Sequence, residues 1–275
     1  MIEDPTDPRI ADYREARDGH LRGHDGLFLA EGRLVVRRLL EASRFRTRSL
    51  LSTRRALDDL LDVLAGAGAP RVYEASTETI RAIVGFKFHR GCLALGERGR
   101  PTAAHDVVAP GGPRIVLALE ELADPDNVGA VFRNAAAFGA AGVLLSPGCA
   151  DPLYRKAIRV SMGATLSTPF ARTEWGNGLA ALRGAGYTLV ALTPDRCADA
   201  IDAVAARGVP TRRLALIVGA EGAGLSQESR AASDHRVRIP MAPGSDSLNV
   251  ATACGIALHR LTVDTGSGIV TGDRS

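Results

Sequence analysis

Lysine is nearly missing from this chain of 275 residues: it stands only at positions 87 and 156, so arginine supplies almost every cation. Missing too is any Cys-x-x-Cys. Cys92, Cys149, Cys197 and Cys254 are scattered, which suits small buried hydrophobes in a reducing compartment and speaks against disulfides or zinc. The six histidines show no metal-ligand spacing, and no metal is expected. No apolar run approaches the roughly 20 residues that span a bilayer, and Met1-Ile-Glu-Asp-Pro-Thr-Asp-Pro8 lacks the basic and apolar blocks of a signal peptide. A cytoplasmic protein with no membrane partner is the expectation. Two nucleotide fingerprints are absent as well. Gly219-Ala-Glu-Gly-Ala-Gly224 has no Gly-Lys-Ser/Thr ending, which excludes the phosphate loop of nucleotide hydrolases, and the first strand of the second half does not lead into Gly-x-Gly-x-x-Gly, which weakens a nicotinamide-dependent oxidoreductase.

What is present is an ordinary globular composition, 45% hydrophobic and 24% charged, enough for one or two cores. The net charge of +3 is small, but between residues 33 and 55 eight arginines face only Glu41. That excess suits phosphate contacts, and it equally suits a solvated helix face. On charge and context alone Arg33, Arg37, Arg38, Lys87 and Arg90 are the candidate RNA contacts. The aromatics of Phe86-Lys-Phe-His-Arg-Gly91 are placed either to stack on unpaired bases or to alternate into a core.

A run rich in Gly, Pro and small residues divides the chain: residues 1–97 form a small α/β domain, 98–112 a linker, 113–264 a second domain, and 265–275 a polar glycine-rich tail. In the first domain, strands are expected from Gly26, at Ser49–Ser52, at Arg71–Tyr73 and at Cys92–Leu95, with helices around Leu34–Leu40, Leu57–Ala65 and Thr77–Val84. In the second, apolar strands at Ile115–Leu119, Gly142–Leu145, Thr188–Leu192, Leu214–Val218 and Val237–Ile239 alternate with helices, the last from about Leu248 to Val263. Such alternation means a parallel sheet covered on both faces.

Three turns in this second domain carry polar residues that packing does not request. They are Asp124-Pro-Asp-Asn-Val-Gly-Ala-Val-Phe-Arg133-Asn134, Ile217-Val-Gly-Ala-Glu-Gly-Ala-Gly-Leu225 and Ile239-Pro-Met-Ala-Pro-Gly-Ser-Asp-Ser-Leu-Asn249. Each follows an apolar run and precedes a helix-forming one, so all three are expected beyond carboxyl ends of strands, where open α/β sheets bind ligands. In the first, Asn127 sits where a helix is capped. Arg133, in a small and apolar stretch, must pair or reach a ligand; a structural ion pair is the rival reading. In the second, the glycines admit close backbone approach to a flat ligand while Glu221 offers an acceptor, though a tight turn with a solvated Glu explains as much. In the third, one of Ser245, Asp246 and Ser247 is expected to cap the terminal helix, leaving Asn249 to hydrogen-bond across the site.

Together, Asn127 through Arg133-Asn-Ala, Val218 through Leu225, and Ile239-Pro-Met through Ser247-Leu-Asn249-Val-Ala resemble, in order and spacing, the three motifs of the SpoU/TrmH ribose methyltransferases. Phe28-Leu-Ala-Glu-Gly and Gly91-Cys-Leu-Ala-Leu more loosely resemble the small ribosomal-protein-like substrate-binding domain often attached to them. The resemblance implies a SPOUT domain with a carboxyl-terminal deep trefoil knot, an exception to the rule that chains do not thread loops. It implies a homodimer that uses S-adenosylmethionine to methylate a ribose 2′-hydroxyl of ribosomal or transfer RNA. By the same carry-over Arg133 is the central catalytic residue, oriented by Asn127, with Glu221, Ser247 and Asn249 completing the pocket. The cofactor would lie against Leu192, Thr193, Gly219, Glu221, Gly222, Ile239, Met241 and Leu248. A guanidinium rarely yields its proton, so Arg133 reads better as a cation holding a phosphate and a developing alkoxide than as a base. The alternative is a non-catalytic RNA- or ribosome-binding protein of the same fold, which would not need Asn127, Arg133, Glu221 and Asn249.

Overall fold

The structure, a computed structural model, describes residues 1–14, 26–41, 43–66, 68, 70–85, 88–108, 114–207 and 213–263. Its contacts divide into two compact units, one of Met1–Pro101 with Asp151–Ser167 and one of Thr102–Ala150 with Thr168–Ser275. The expected tail 265–275 lies outside the described residues.

In the first unit, β1 (Leu27–Glu31), β2 (Arg46–Ser52), β3 (Arg71–Glu74) and β4 (Cys92–Glu97) form one sheet in the order β1-β4-β2-β3. β4 runs antiparallel to both neighbours, while β2 and β3 are parallel. The helix Arg33–Glu41 forms because Val35, Val36 and Leu39 recur on one side and are buried, leaving its arginines on the other. Ser76 caps Thr77–Val84 by accepting from Thr79 N at 3.0 Å, and Gly85 ends it at φ 67°. Phe88 is fully buried in this unit's core with Tyr13, Ile80 and Leu95, so it belongs to packing and does not stack on bases. Phe86 and Lys87 lie outside the described residues.

The second unit is a parallel sheet of β5 (Arg114–Leu119), β6 (Gly142–Leu145), β7 (Phe170–Arg172), β8 (Thr188–Leu192), β9 (Asp199–Ala200), β10 (Arg213–Val218) and β11 (His235–Arg238). The strand order is β7-β6-β5-β10-β8-β11-β9. Near-continuous burial of Val116–Leu119, Val143–Leu145 and Leu214–Val218 is what a sheet covered on both faces requires. From β5 the chain goes to β6 and β7 on one side, while β10, β8, β11 and β9 fill the other. The order therefore reverses between β5 and β10, and the loops leaving β5, β10, β8 and β11 emerge side by side at their carboxyl ends.

Three expectations change. Residues 151–167 join the first unit, because Arg155 pairs with buried Glu31 at 2.9 Å, Asp151 with Arg98 at 2.8 Å, and Met162 O accepts from Arg38 at 2.6 Å. The linker is not wholly a linker: Ala104–Val107 is helical, and Val107 and Val108 enter the second unit's core. Leu57–Ala65 becomes two short helices, Arg54–Asp58 and Leu61–Leu64, the first capped by Thr53. The amino terminus is also tied down, with Ile2 buried and Ile2 N donating to Glu74 O at 2.6 Å.

Of the four cysteines three are buried and Cys197 is exposed. Burial pushes the thiols of Cys92 and Cys254 up to about 12 and raises that of Cys149, so none of these three is a nucleophile at neutral pH. A thiol reagent should therefore label Cys197 alone in the native protein and all four cysteines in denaturant. Rapid native labelling of Cys92 or Cys254 would contradict this packing.

Candidate active site

The first turn begins at Glu121, which adopts φ 56° and reverses the chain after β5. Asp124 caps the helix Pro125–Ala137, its Oδ1 accepting from Asp126 N at 2.9 Å. Asn127 is thus released from the capping role that its position suggested. It lies within the first helical turn, buried, and turns its amide toward the third motif.

That third motif is capped differently from expectation. Asn249 Oδ1 accepts from Ala251 N at 3.0 Å and Thr252 N at 3.3 Å, and so Asn249 itself caps the terminal helix Val250–Val263. With its oxygen held there, its Nδ2 must face the other way. It donates to Asn127 Oδ1 at 2.8 Å and to Glu221 Oε1 at 3.3 Å. One side-chain amide thereby joins the three motifs.

The second turn is tight because glycine permits it. Gly222 and Gly224 have φ of 85° and 67°, Gly224 N donates to Ala220 O at 3.0 Å, and a Cβ on Gly219 would stand 2.6 Å from the backbone of Gly224. Alanine at 219 would force this turn open.

Between the second and third turns and the end of β8 lies a cavity of about 580 Å³. Leu192, Thr193, Gly219, Glu221, Gly222, Ile239, Met241 and Leu248 all line it, as do Ser247 and Asn249. The cofactor set read from the sequence left out Pro194, Asp246, Val250 and Ala253, and Val218, Ala220, Gly224 and Leu225 of the second motif, which share the lining. Asp246 stood among the capping candidates, whereas Ala253, one turn into the terminal helix, gave no signal.

Arg133 is not among the lining residues. Six residues beyond Asn127, it lies about 120° around the helix from it, and its side chain is exposed. The rival reading of Arg133 as one half of a structural ion pair fails for that reason: its side chain is exposed, and among the described residues no ion pair holds it. Its neighbour Asn134 does the packing, donating to Ala251 O at 2.6 Å.

The arginines of the first unit are sorted by the acceptors they meet. Arg33 pairs with Asp59, and Arg37 with Asp62 at 2.7 Å and Glu41 at 3.0 Å, contacts that push the Arg37 guanidinium further up. Arg38 is spent on Met162 O. Arg55 and Arg90 are exposed and, among the described residues, have no such partner. Both line a second cavity, of about 660 Å³, with Arg33, His89 and the exposed Leu34.

Comparison with known proteins agrees with this geometry. The model of the SpoU rRNA Methylase family matches residues 114–259. An uncharacterised tRNA/rRNA methyltransferase of Mycobacterium tuberculosis is 46% identical over 265 residues, covering 94% of this chain and 90% of its own. The 23S rRNA (guanosine-2′-O-)-methyltransferase RlmB of a Burkholderia species is 33% identical over 201 residues, 71% of this chain and 78% of that one. The AdoMet-bound rRNA methyltransferase of Sinorhizobium meliloti superposes with a TM-score of 0.79 at 26% identity, over 94% of this chain and 96% of the other. With its three motifs gathered at the carboxyl ends of one parallel sheet, this chain belongs to the SpoU rRNA methylase family of RNA methyltransferases.

Proposed function

We propose that this protein methylates a ribose 2′-hydroxyl of ribosomal or transfer RNA with S-adenosylmethionine, in the cytoplasm and as a homodimer. The segments around 217–225 and 239–249 are the ones that would thread the knot the family resemblance implies. The observation that carries the reading is the Asn127–Asn249–Glu221 tie at the edge of the 580 Å³ cavity. The relatives named for 2′-O-methylation and for bound AdoMet support the same chemistry.

The residues present fit such a ligand. The volume lies within the roughly 300–1,000 Å³ of small-molecule sites. Leu192, Ile239, Met241 and Leu248 make an apolar slot for a flat heterocycle, and the glycines of the second turn leave main chain uncovered beside it. Bound there, S-adenosylmethionine supplies a methyl group on a cationic sulfur. The chain's own part is to hold and align. Asn249 fixes Glu221 at the rim, and Ser247 adds a hydroxyl. Arg133, uncommitted and exposed, is the cation left to take the phosphate beside the target ribose and to stabilise the oxyanion that forms. A guanidinium stays protonated, so the role assigned to it is electrostatic.

RNA contact on the first unit falls to the guanidiniums that carboxylates leave free. Of the residues nominated by charge, Arg90 keeps its place, Arg33 and Arg37 are committed to aspartates, Arg38 to a carbonyl, Lys87 lies outside the described residues, and Arg55 is added.

Incubation of the protein with methyl-labelled S-adenosylmethionine and total RNA should place label on a ribose 2′-oxygen. Label on a base, or no uptake despite binding of RNA, would overturn the reading in favour of a base methyltransferase or a pure binder. In that assay Arg133→Lys should keep measurable activity, since a point charge still anchors a phosphate. Complete loss with unchanged RNA affinity would instead require a fork-shaped contact or a base.

Reversal of Arg55 and Arg90 to Glu should weaken RNA binding and lower the salt slope of log K by about 2. The same reversal at Arg37 should change the slope little, because its charge is already matched by Asp62 and Glu41. Equal effects of the two reversals would refute this sorting.

A further inference from the structure

Glu120 takes no part in the chemistry above, yet it is a carboxyl side chain only 4% exposed at the end of an apolar strand. Such burial is costly unless donors meet it. Donors do meet it, and where they come from is informative. Glu120 N donates to Val218 O at 2.9 Å, and Glu120 Oε2 accepts from Ser226 N at 3.1 Å. Val218 is the residue before the Gly219–Leu225 turn, and Ser226 the residue after it. Both ends of the turn that walls the cavity are therefore fastened to one residue.

The fastening is itself braced. Ser229, fully buried, donates its Oγ to Glu120 Oε2 at 2.7 Å and accepts from Trp175 Nε1 at 2.8 Å. Glu120 also begins the loop that leads through the strained Glu121 to Asn127. The first and second motifs are thus joined twice, by Glu120 at the root of the turn and by Asn249 at its tip.

We propose that Glu120 is a positioning residue of this site: by stapling both ends of the Gly219–Leu225 turn it sets the cavity wall and holds Glu221 where Asn249 can reach it. The inference rests on the cavity being the cofactor site. Removal of the carboxyl group leaves the main-chain bond to Val218 and frees the Ser226 end together with the Ser229 hydroxyl that braces it. The turn is then fastened through Glu120 at its Val218 end alone.

The test compares Glu120→Ala, Glu120→Gln and Trp175→Phe by calorimetric titration of S-adenosylmethionine, thermal unfolding, and amide hydrogen exchange across Gly219–Leu225. Trp175→Phe cuts only the far end of the chain of bonds and serves as the stability control. Glu120→Ala should raise Kd by about tenfold, the scale of one lost hydrogen bond to a charged acceptor, and Trp175→Phe by less than about twofold although it too lowers Tm. Glu120→Gln, whose amide oxygen still accepts from Ser226 N, should fall between. Exchange in the turn should quicken in Glu120→Ala and stay near wild type in Trp175→Phe. The proposal is overturned by equal Kd and exchange in wild type and Glu120→Ala, or by a change in Trp175→Phe as large as theirs. Should Glu120→Ala not fold, Glu120→Gln against Trp175→Phe decides on the same criteria. Because exchange needs no cofactor, a wild type that binds no S-adenosylmethionine would sink the methyltransferase reading and leave the staple to be judged on exchange alone.

Discussion

A primary amide has an acceptor end and a donor end, and the site depends on how Asn249 divides them. The first amides of the terminal helix claim its oxygen, at the end of the helix where partial positive charge collects. The nitrogen is then obliged to point at Asn127 and Glu221. Were the amide turned over, the helix would lose its cap and both partners their donor at once. The start of the terminal helix therefore fixes the register of three loops that lie far apart in sequence.

The sheet supplies what the amide alone could not. Parallel strands send their connections to the same end, and the order β5-β10-β8-β11 places the loops that carry the three motifs beside one another. Backbone stiffness adds to this. Gly219 is packed against Gly224 so closely that no side chain fits, and Glu121 holds a left-handed conformation that its bonds with Ser146 support. The cavity is in this sense built from backbone, with side chains of Leu192, Ile239 and Met241 as its apolar floor.

Much of this was legible in the sequence, for physical reasons that also mark where legibility stops. Long apolar strands such as Thr188–Leu192 announce themselves by burial on both faces, whereas β7 and β9 span too few residues for any period to register. Thr77–Val84 was readable because Ser76 and Gly85 bracket it. The three motif segments were readable from their polar residues, while Arg133 proved to be exposed and the caps were not readable. Asp124 and Asn127, or Ser247 and Asn249, compete locally for the same role, and only tertiary contacts decide between them. Charge was the poorest guide. The arginines of residues 33–55 looked like a free surface because Asp59, Asp62, Asp12 and Glu74 stand outside that window. The capture of residues 151–167 by the first unit likewise rests on ion pairs distant in sequence.

The most direct measurement is the affinity of Asn249→Asp for S-adenosylmethionine, taken beside its thermal unfolding. Aspartate keeps the oxygen that caps the helix and removes the amide donor that reaches Asn127 and Glu221. If the tie organises the site, unfolding stays close to wild type while cofactor affinity and RNA methylation both collapse. An Asn249→Asp protein that binds the cofactor and methylates RNA as the wild type does would show that the three motifs are held in place by something else.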